Sequence, residues 1–214
     1  DKLRGSNIKL RFPSVGATEN IMMAASLAEG QTIINNAARE PEVIDLASCL
    51  NKMGGKITGA GNKNIKIIGV KKLKKTNHVV ITDRIVAGTF VIAAVMLNNE
   101  FTIKNINPYF LSTPLKILKQ MGAKLEVGKN YIRVFKAEKI ISTSLETKPY
   151  PGFPTDLQAQ IMALMSLAEG TSTIKEKIFE NRFMHVSELN RLGANIKIKK
   201  DIAYIKGGQR FKGA

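Results

Sequence analysis

One stretch of the sequence occurs twice in nearly the same form and decides the fold: MAASLAEG at residues 23–30 and MALMSLAEG at residues 162–170. A second mark, a methionine or leucine followed by glycine, recurs at Gly54, Gly122 and Gly193. These glycines are 68 and 71 residues apart. Because self-similarity at a nearly fixed period is typical of a repeat architecture, the sequence predicts three units of near-equal length.

Each unit has the same internal pattern. Its second helix is amphipathic and ends at the marked glycine, which supplies a left-handed helix end. Short alternating segments around that helix predict strands. The helical apolar sets are Val43, Leu46, Ala47, Leu50 and Met53; Leu115, Leu118 and Met121; and Val186, Leu189 and Leu192. The predicted strands include residues 8–10, 32–34, 56–58, 65–68, 101–103, 124–127, 131–134, 173–174, 196–198 and 203–205, with another near 142–146. Adding a strand before each first helix predicts β-α-β-α-β-β three times, in the α/β (α+β) class.

Composition narrows the class of protein. The chain has 214 residues, of which 44% are hydrophobic and 23% charged, as in an ordinary globular protein. It contains no apolar run of the roughly 20 residues that a membrane span needs, and no apolar signal segment near its start. A single cysteine, Cys49, excludes an internal disulfide and a cysteine-based zinc cluster. We therefore expect a cytoplasmic protein with no membrane partner.

The net charge of +16 predicts an anionic partner. The lysines are spread along the whole chain, and the densest cluster, Lys71–Lys75, contains no aromatic residue. Proteins that bind single-stranded nucleic acid place aromatic side chains within a basic groove, whereas this chain has 6% aromatic residues and no tryptophan. A phosphorylated small substrate is therefore favoured over nucleic acid. A compositional bias towards lysine is the alternative explanation.

The first segment with possible chemistry is the loop Phe12–Asn20, which leads into a helix. Small residues at a helix start leave backbone N–H groups free, and the helix dipole favours an anion there. Ser14, Val15 and Gly16 are therefore candidates for binding phosphate. Simple N-capping of the helix by Ser14 or Thr18 explains the pattern equally well.

The second segment, Lys148–Gln160, contains three prolines before a helix that begins at Thr155 and Asp156. A rigid loop of this kind can hold one carboxylate towards a ligand hydroxyl, as a general base requires. The alternative is that Thr155 or Asp156 caps the helix.

The third segment, Phe179–Val186, places polar residues between a strand and a helix. Arg182 could bind a carboxylate or phosphate with its guanidinium group, or it could pair with Glu180 on a solvated loop. His185 is interpreted as structural. With two histidines and one cysteine far apart, the sequence assembles neither a metal site nor a catalytic triad.

Taken together, these segments resemble the UDP-N-acetylglucosamine 1-carboxyvinyltransferases, a family of enolpyruvyl transferases. The motifs that carry the resemblance are Ser14–Met22, Asn36–Val43, Asp83–Ile85 with Gly88–Phe90, Phe153–Gln160 and Phe179–Val186. The family fold has two pseudo-symmetric domains, each an inside-out α/β barrel of three β-α-β-α-β-β units. The resemblance implies that three of the six units are present: residues 1–80 as the last unit of the catalytic domain, and residues 81–214 as the first two units of the second domain.

The resemblance also implies the reaction. The enolpyruvyl group of phosphoenolpyruvate is transferred to the 3-hydroxyl of UDP-N-acetylglucosamine, with release of phosphate, at the start of peptidoglycan synthesis for the cell wall. No metal or organic cofactor is implied. By likeness, Asp156 is the catalytic base. The matching substrate-binding positions are Ser14, Val15, Gly16, Thr155, Ile178 and Arg182. Phe12 stands where some members carry a lysine.

The same resemblance places a catalytic cysteine, or the aspartate that replaces it, and a phosphoenolpyruvate-binding lysine upstream of these residues. We therefore expect the chain alone to be inactive and to need the remainder of the polypeptide to complete both domains. We also expect Asp156 and the amides near Ser14 to meet one nucleotide sugar. Two alternatives stay open: a binding-only relic that retains nucleotide-sugar contacts, and a basic nucleic-acid-binding module related to RNA-terminal cyclases.

Overall fold

The repeat glycines end helices in the computed structural model, which describes residues 2–213. Gly54, Gly122 and Gly193 have φ angles of 96°, 98° and 105°, in the left-handed region that glycine enters without strain. After each of them, the next residue's amide donates to the carbonyl five residues earlier, at 2.9 to 3.0 Å. This is the Schellman helix ending, so the predicted helix ends are confirmed.

The chain divides into two compact units, Asp1–Ile81 and Thr82–Ala214. The first unit holds one repeat, in which β1 pairs in parallel with β2 and the sheet order is β1-β2-β4-β3. Its elements are β1 (Asn7–Lys9), α1 (Val15–Ala25), β2 (Gln31–Asn35), α2 (Pro41–Lys52), β3 (Lys56–Thr58) and β4 (Asn64–Ile68).

The second unit holds two repeats with separate sheets. The middle repeat contains α3 (Arg84–Met96), β5 (Phe101–Lys104), α4 (Ser112–Gln120), β6 (Lys124–Val127) and β7 (Tyr131–Phe135). The last repeat contains β8 (Ser144–Glu146), α5 (Gln158–Leu167), β9 (Thr171–Lys175), α6 (Val186–Arg191), β10 (Asn195–Lys199) and β11 (Ile202–Lys206). Its sheet order, β8-β9-β11-β10, is the order found in the first repeat.

The middle repeat differs from the prediction. Its sheet has three strands in the order β5-β7-β6, and within the described residues no strand lies between β4 and α3. The segment before that helix contains the β-branched residues Val79 and Val80, which favour a strand. Both side chains are exposed, however: Val79 is 90% and Val80 is 73% solvent-accessible. A strand requires a neighbouring strand that exchanges backbone hydrogen bonds with it, and no strand in the described residues pairs with Val79 or Val80.

Each unit has its own hydrophobic core. In the first, Met22 from α1 packs with Ile34 and Ile65 from the sheet. In the second, the two repeats share one core in which Ile92 of α3 lies with Leu157 and Ile161 at the start of α5. Burial of each such side chain contributes about 1.5–3 kcal/mol. The mixed α/β class is confirmed, and no helix in the described residues is long and apolar enough to cross a membrane.

Candidate active site

Two loops of the last repeat come together because two strands are parallel. β8 pairs in parallel with β9, so the loops that follow these strands leave the sheet at the same edge. We call residues 147–157, which follow β8, the Asp156 loop. We call residues 176–185, which follow β9, the Arg182 loop. These loops contain the predicted site residues of the second unit.

Asp156 lies in a short 3₁₀ turn, Thr155–Leu157, directly before α5. Its side chain is 55% exposed, and Nη2 of Arg182 donates to its Oδ1 at 2.9 Å. The Arg182 guanidinium also lies over the ring of Phe179, 5.4 Å from the ring centroid. The second carboxylate oxygen, Oδ2, makes no hydrogen bond to any described part of the chain. The structure thus brings Asp156 and Arg182 into direct contact and leaves one carboxylate oxygen open.

This geometry decides between the local alternatives for these loops. The N-cap of α5 is Leu157, and no side chain caps the helix, so the interpretation of Thr155 or Asp156 as a helix cap is wrong. Arg182 pairs with Asp156 and not with Glu180.

A surface cavity of about 930 Å³ adjoins the Arg182 loop. Ile178, Arg182 and the phenyl groups of Phe179 and Phe183 line one side of it, and the β10–β11 turn lines the other. Ile178 is half-buried and presents an apolar surface beside the guanidinium. Six of the twelve lining residues are charged, so the cavity combines apolar side chains with charges of both signs.

One buried carboxylate, which the sequence gives no sign of, connects the two loops. Glu176 follows β9 and is only 5% exposed. Burial alone would raise the pKa of Glu176, but hydrogen bonds from the Ile178 amide, the hydroxyls of Thr147 and Thr155, and the Phe179 amide together lower it. The group is therefore held in its ionised form.

His185 is half-buried behind Arg182. Burial first, and the Arg182 charge second, lower the pKa of its imidazole. Its Nε2 is buried and has no hydrogen-bond partner among the described residues. Neutral imidazole is favoured here. Within residues 2–213 there is no group of three or more side chains that could hold a metal ion.

In the first unit, Ser14, Val15 and Gly16 form the start of α1. Ser14 is the N-cap: its Oγ accepts from the Ala17 amide at 3.2 Å. The amides of Val15 and Gly16 donate to no acceptor within the described chain. Gly16 is exposed, and nothing lies within 4 Å of the position where a Cβ would be. Capping is thus observed, and it leaves two backbone donors open at the positive end of the helix.

Comparison with known families matches residues 1–214 to EPSP synthase (3-phosphoshikimate 1-carboxyvinyltransferase). The chain belongs to this family.

Within the family, the similar curated relatives act on a nucleotide sugar by name. The chain is 53% identical over 213 residues to UDP-N-acetylglucosamine 1-carboxyvinyltransferase 1 of Caldanaerobacter subterraneus subsp. tengcongensis. It is 51% identical to the enzyme of the same name from Carboxydothermus hydrogenoformans and 51% identical to UDP-N-acetylglucosamine 1-carboxyvinyltransferase of Prochlorococcus marinus. All of this chain is covered, against 51%, 51% and 46% of these relatives. The resemblance inferred from the motifs is confirmed, and the chain spans about half the length of the relatives it matches.

Solved structures show the same fold. The enolpyruvyl transferase NikO from Streptomyces tendae matches with a TM-score of 0.88 at 23% identity, over 98% of this chain and 52% of that one. EPSP synthase from Acinetobacter baumannii matches with a TM-score of 0.71 at 20% identity, over 98% and 50% of the two chains. At these identities the likeness establishes the enolpyruvyl transferase fold, which the resemblance of the motifs implied.

Proposed function

We propose that this chain is part of an enzyme that transfers the enolpyruvyl group of phosphoenolpyruvate to the 3-hydroxyl of UDP-N-acetylglucosamine and releases phosphate. The relatives at 51–53% identity support the substrate pair. The observation that carries the proposal is the exposed Asp156 carboxylate, which Arg182 contacts at 2.9 Å while its Oδ2 is open. A general base requires an accessible oxygen in a fixed position.

In the second unit, the proposed chemistry follows from these groups. Asp156 accepts the proton of the sugar hydroxyl as the hydroxyl oxygen attacks C2 of phosphoenolpyruvate. Arg182 provides a positive charge near the reacting phosphate and carboxylate groups, and its planar fork suits both. Thr155 and the apolar side chain of Ile178 contact the sugar. In the same addition C3 of phosphoenolpyruvate takes up a proton from an acid in the remainder of the polypeptide, which gives the tetrahedral intermediate. Loss of phosphate from C2 and of a proton from C3 then re-forms the double bond.

In the first unit, the start of α1 binds the uridine diphosphate end of the substrate. The open amides of Val15 and Gly16 donate to it, and the helix dipole adds a positive potential. Ser14 orients this turn through its capping bond. The excess of cations in the chain suits a substrate with several phosphate charges. Phe12 supplies no charge where some members of the family have a lysine.

The 214-residue chain alone does not turn over, because the proposed site lacks the catalytic cysteine or aspartate and the phosphoenolpyruvate-binding lysine of the family. Activity belongs to the longer polypeptide in which these residues occur, without a metal or an organic cofactor. The role in peptidoglycan synthesis and the cytoplasmic location inferred from the sequence stay predictions.

The test compares the 214-residue chain with the full-length polypeptide that contains it. We expect the full-length protein to release phosphate only when both substrates are present, and the chain alone to release none above a no-enzyme control. Binding of UDP-N-acetylglucosamine to the full-length protein without turnover would favour the binding-only alternative. Turnover by the isolated chain would contradict its proposed inactivity.

A matched pair of variants tests the first unit. Gly16→Ala fits the fold, since a Cβ meets nothing within 4 Å, yet it adds a methyl group where the substrate phosphates are proposed to lie. We expect a higher KM for UDP-N-acetylglucosamine. The control is Glu138→Gln, a change at an ion-pairing side chain that is 92% exposed, for which KM stays unchanged. An unchanged KM for Gly16→Ala contradicts the assignment of the α1 start.

A further inference from the structure

The two oxygens of the Glu176 carboxylate accept hydrogen bonds from donors in or next to both site loops. On one oxygen, Oε1 accepts from the amides of Ile178 at 2.8 Å and Phe179 at 3.2 Å. The same oxygen accepts from the hydroxyl of Thr147 at 2.8 Å. Thr147 in turn accepts from the Lys177 amide at 2.9 Å. The Oε1 side therefore fixes the backbone at the start of the Arg182 loop.

The other oxygen contacts the segment that carries Asp156. Oε2 accepts from the hydroxyl of Thr155, the residue before Asp156, at 2.9 Å. It also accepts from Nε2 of Gln158, the first residue of α5, at 2.8 Å. Gln158 is 1% exposed. The Oε2 side therefore fixes the turn from which the Asp156 side chain extends.

We propose that Glu176 is a positioning residue for the transfer reaction, holding the Asp156 loop and the Arg182 loop at the separation that the reaction needs. The inference rests on the proposed function. Glu176 itself is buried and acts through the residues that it orders. The ion pair of Asp156 with Arg182 also joins the two loops, but it is exposed on both sides and holds them only weakly.

The chemistry requires a carboxylate at this position. An ionised carboxylate has two oxygens that only accept, and here both are saturated with donors. A glutamine has one oxygen and one NH₂ group. Its oxygen can accept from the Ile178 and Phe179 amides, which only donate, and its NH₂ group then takes the place of the oxygen that accepts from Thr155 and Gln158. The Thr155 hydroxyl and the Gln158 amide must turn round before they can accept from it. Glu176→Gln therefore preserves the shape of the side chain, removes its charge and changes the hydrogen bonds that hold the Asp156 loop.

The kinetic experiment uses the full-length enzyme that contains this chain. For Glu176→Gln we expect kcat to fall by about tenfold to a hundredfold, the usual cost of misplaced reacting groups, and KM for UDP-N-acetylglucosamine to rise. Loss of folded protein lowers the apparent kcat but leaves KM unchanged, so the rise in KM separates positioning from stability. The matched control is Glu188→Gln, for which kcat and KM should stay unchanged. Glu188 is exposed and pairs with Arg191 of the same helix, α6, at 2.7 Å.

Folded Glu176→Gln enzyme with kcat and KM within twofold of the wild type overturns the inference. If that variant does not fold, Thr147→Val replaces it in the test, because it removes one donor to Oε1 and keeps the charge of Glu176. Values of kcat and KM within twofold of the wild type for Thr147→Val then overturn the inference. If the wild-type enzyme shows no turnover, the proposed function fails. Hydrogen exchange in the 214-residue chain then tests the inference: the amides of Ile178 and Phe179 should exchange at least about tenfold faster in Glu176→Ala, which has no oxygen to accept from them, and unchanged exchange overturns it.

Discussion

The substitution Asp156→Asn separates the chemistry of the site from its contribution to folding. The ion pair that it removes is exposed, with side-chain accessibilities of 55% for Asp156 and 45% for Arg182. Exposed pairs contribute about 0–1 kcal/mol, and the asparagine oxygen can still accept from the guanidinium group. We therefore expect the free energy of unfolding to fall by less than about 1 kcal/mol, a shift in Tm of no more than about 4 °C.

The activity should respond very differently. An asparagine cannot take the proton of the sugar hydroxyl, and loss of a positioned general base costs about 10²–10⁴-fold in rate. The assay is phosphate release by the full-length enzyme with both substrates saturating, next to thermal unfolding followed by circular dichroism.

The control variant is Glu100→Gln. Its pair with Arg133 is exposed to almost the same degree, 56% and 46%, but it lies in the middle repeat. We expect this variant to retain full activity with an equally small change in Tm. The reasoning is refuted if Asp156→Asn retains near wild-type kcat, or if it lowers the unfolding free energy by several kcal/mol. The second result would make Asp156 a structural residue.

Two further predictions concern the framework of the units. Gly207→Ala should lower the unfolding free energy by about 3 kcal/mol, because its Cβ would lie 1.8 Å from the backbone oxygen of Ala168. The control is Gly213→Ala, which has open space around the new Cβ and should change the unfolding free energy little. Both values are measured by urea titration. Burial first, and two nearby carboxylates second, raise the pKa of Glu19 above its usual 4.5. Above the folded-state pKa the ionised Glu19 side chain therefore lowers the free energy of unfolding, and this loss disappears as the pH falls below 4.5. Glu19→Gln should thus stabilise the protein at pH 7 but not at pH 4, and an equal gain at both values would contradict the assignment.

Local sequence signals were sufficient to predict most of the helices and strands. The amphipathic second helices, their glycine ends and the hairpins that follow all depend on residues within one or two turns of each other. Their predicted positions agree with the structure, including β8 (Ser144–Glu146), for which the pattern is short. The spacing of Gly54, Gly122 and Gly193 was enough to predict the repeats because a left-handed helix end accepts few other residues.

The strand missing before α3 shows where local signals fail. The β-branched residues Val79 and Val80 fit a strand pattern, but a strand exists only with a neighbour to accept its hydrogen bonds. That neighbour is a property of the tertiary structure. The exposure of both side chains in the described residues agrees with an unpaired segment.

The sequence alone could not predict the role of Glu176 either. Its side-chain donors lie 29, 21 and 18 residues earlier in the chain, so no short motif contains them. In a lysine-rich chain, a single glutamate after a strand resembles a solvated surface residue. Only the parallel pairing of β8 with β9 brings Thr147 and Thr155 to its carboxylate. Asp156 and Arg182, in contrast, lie in loops whose composition already distinguishes them.

The first and last repeats explain why one framework can present different chemistry. In both, a parallel strand pair begins the sheet, and the loop after the first strand leads into the first helix of the repeat. In the first repeat that loop ends at Ser14, and it presents uncharged backbone amides. In the last repeat it ends at Thr155 and Asp156, and it presents a carboxylate. Because the strands and the buried helix faces fix where each loop starts and ends, the loop residues are free to change without loss of the fold. A difference of function between repeats therefore requires substitutions only in the loops, together with a buried group such as Glu176 that holds the new loop in place.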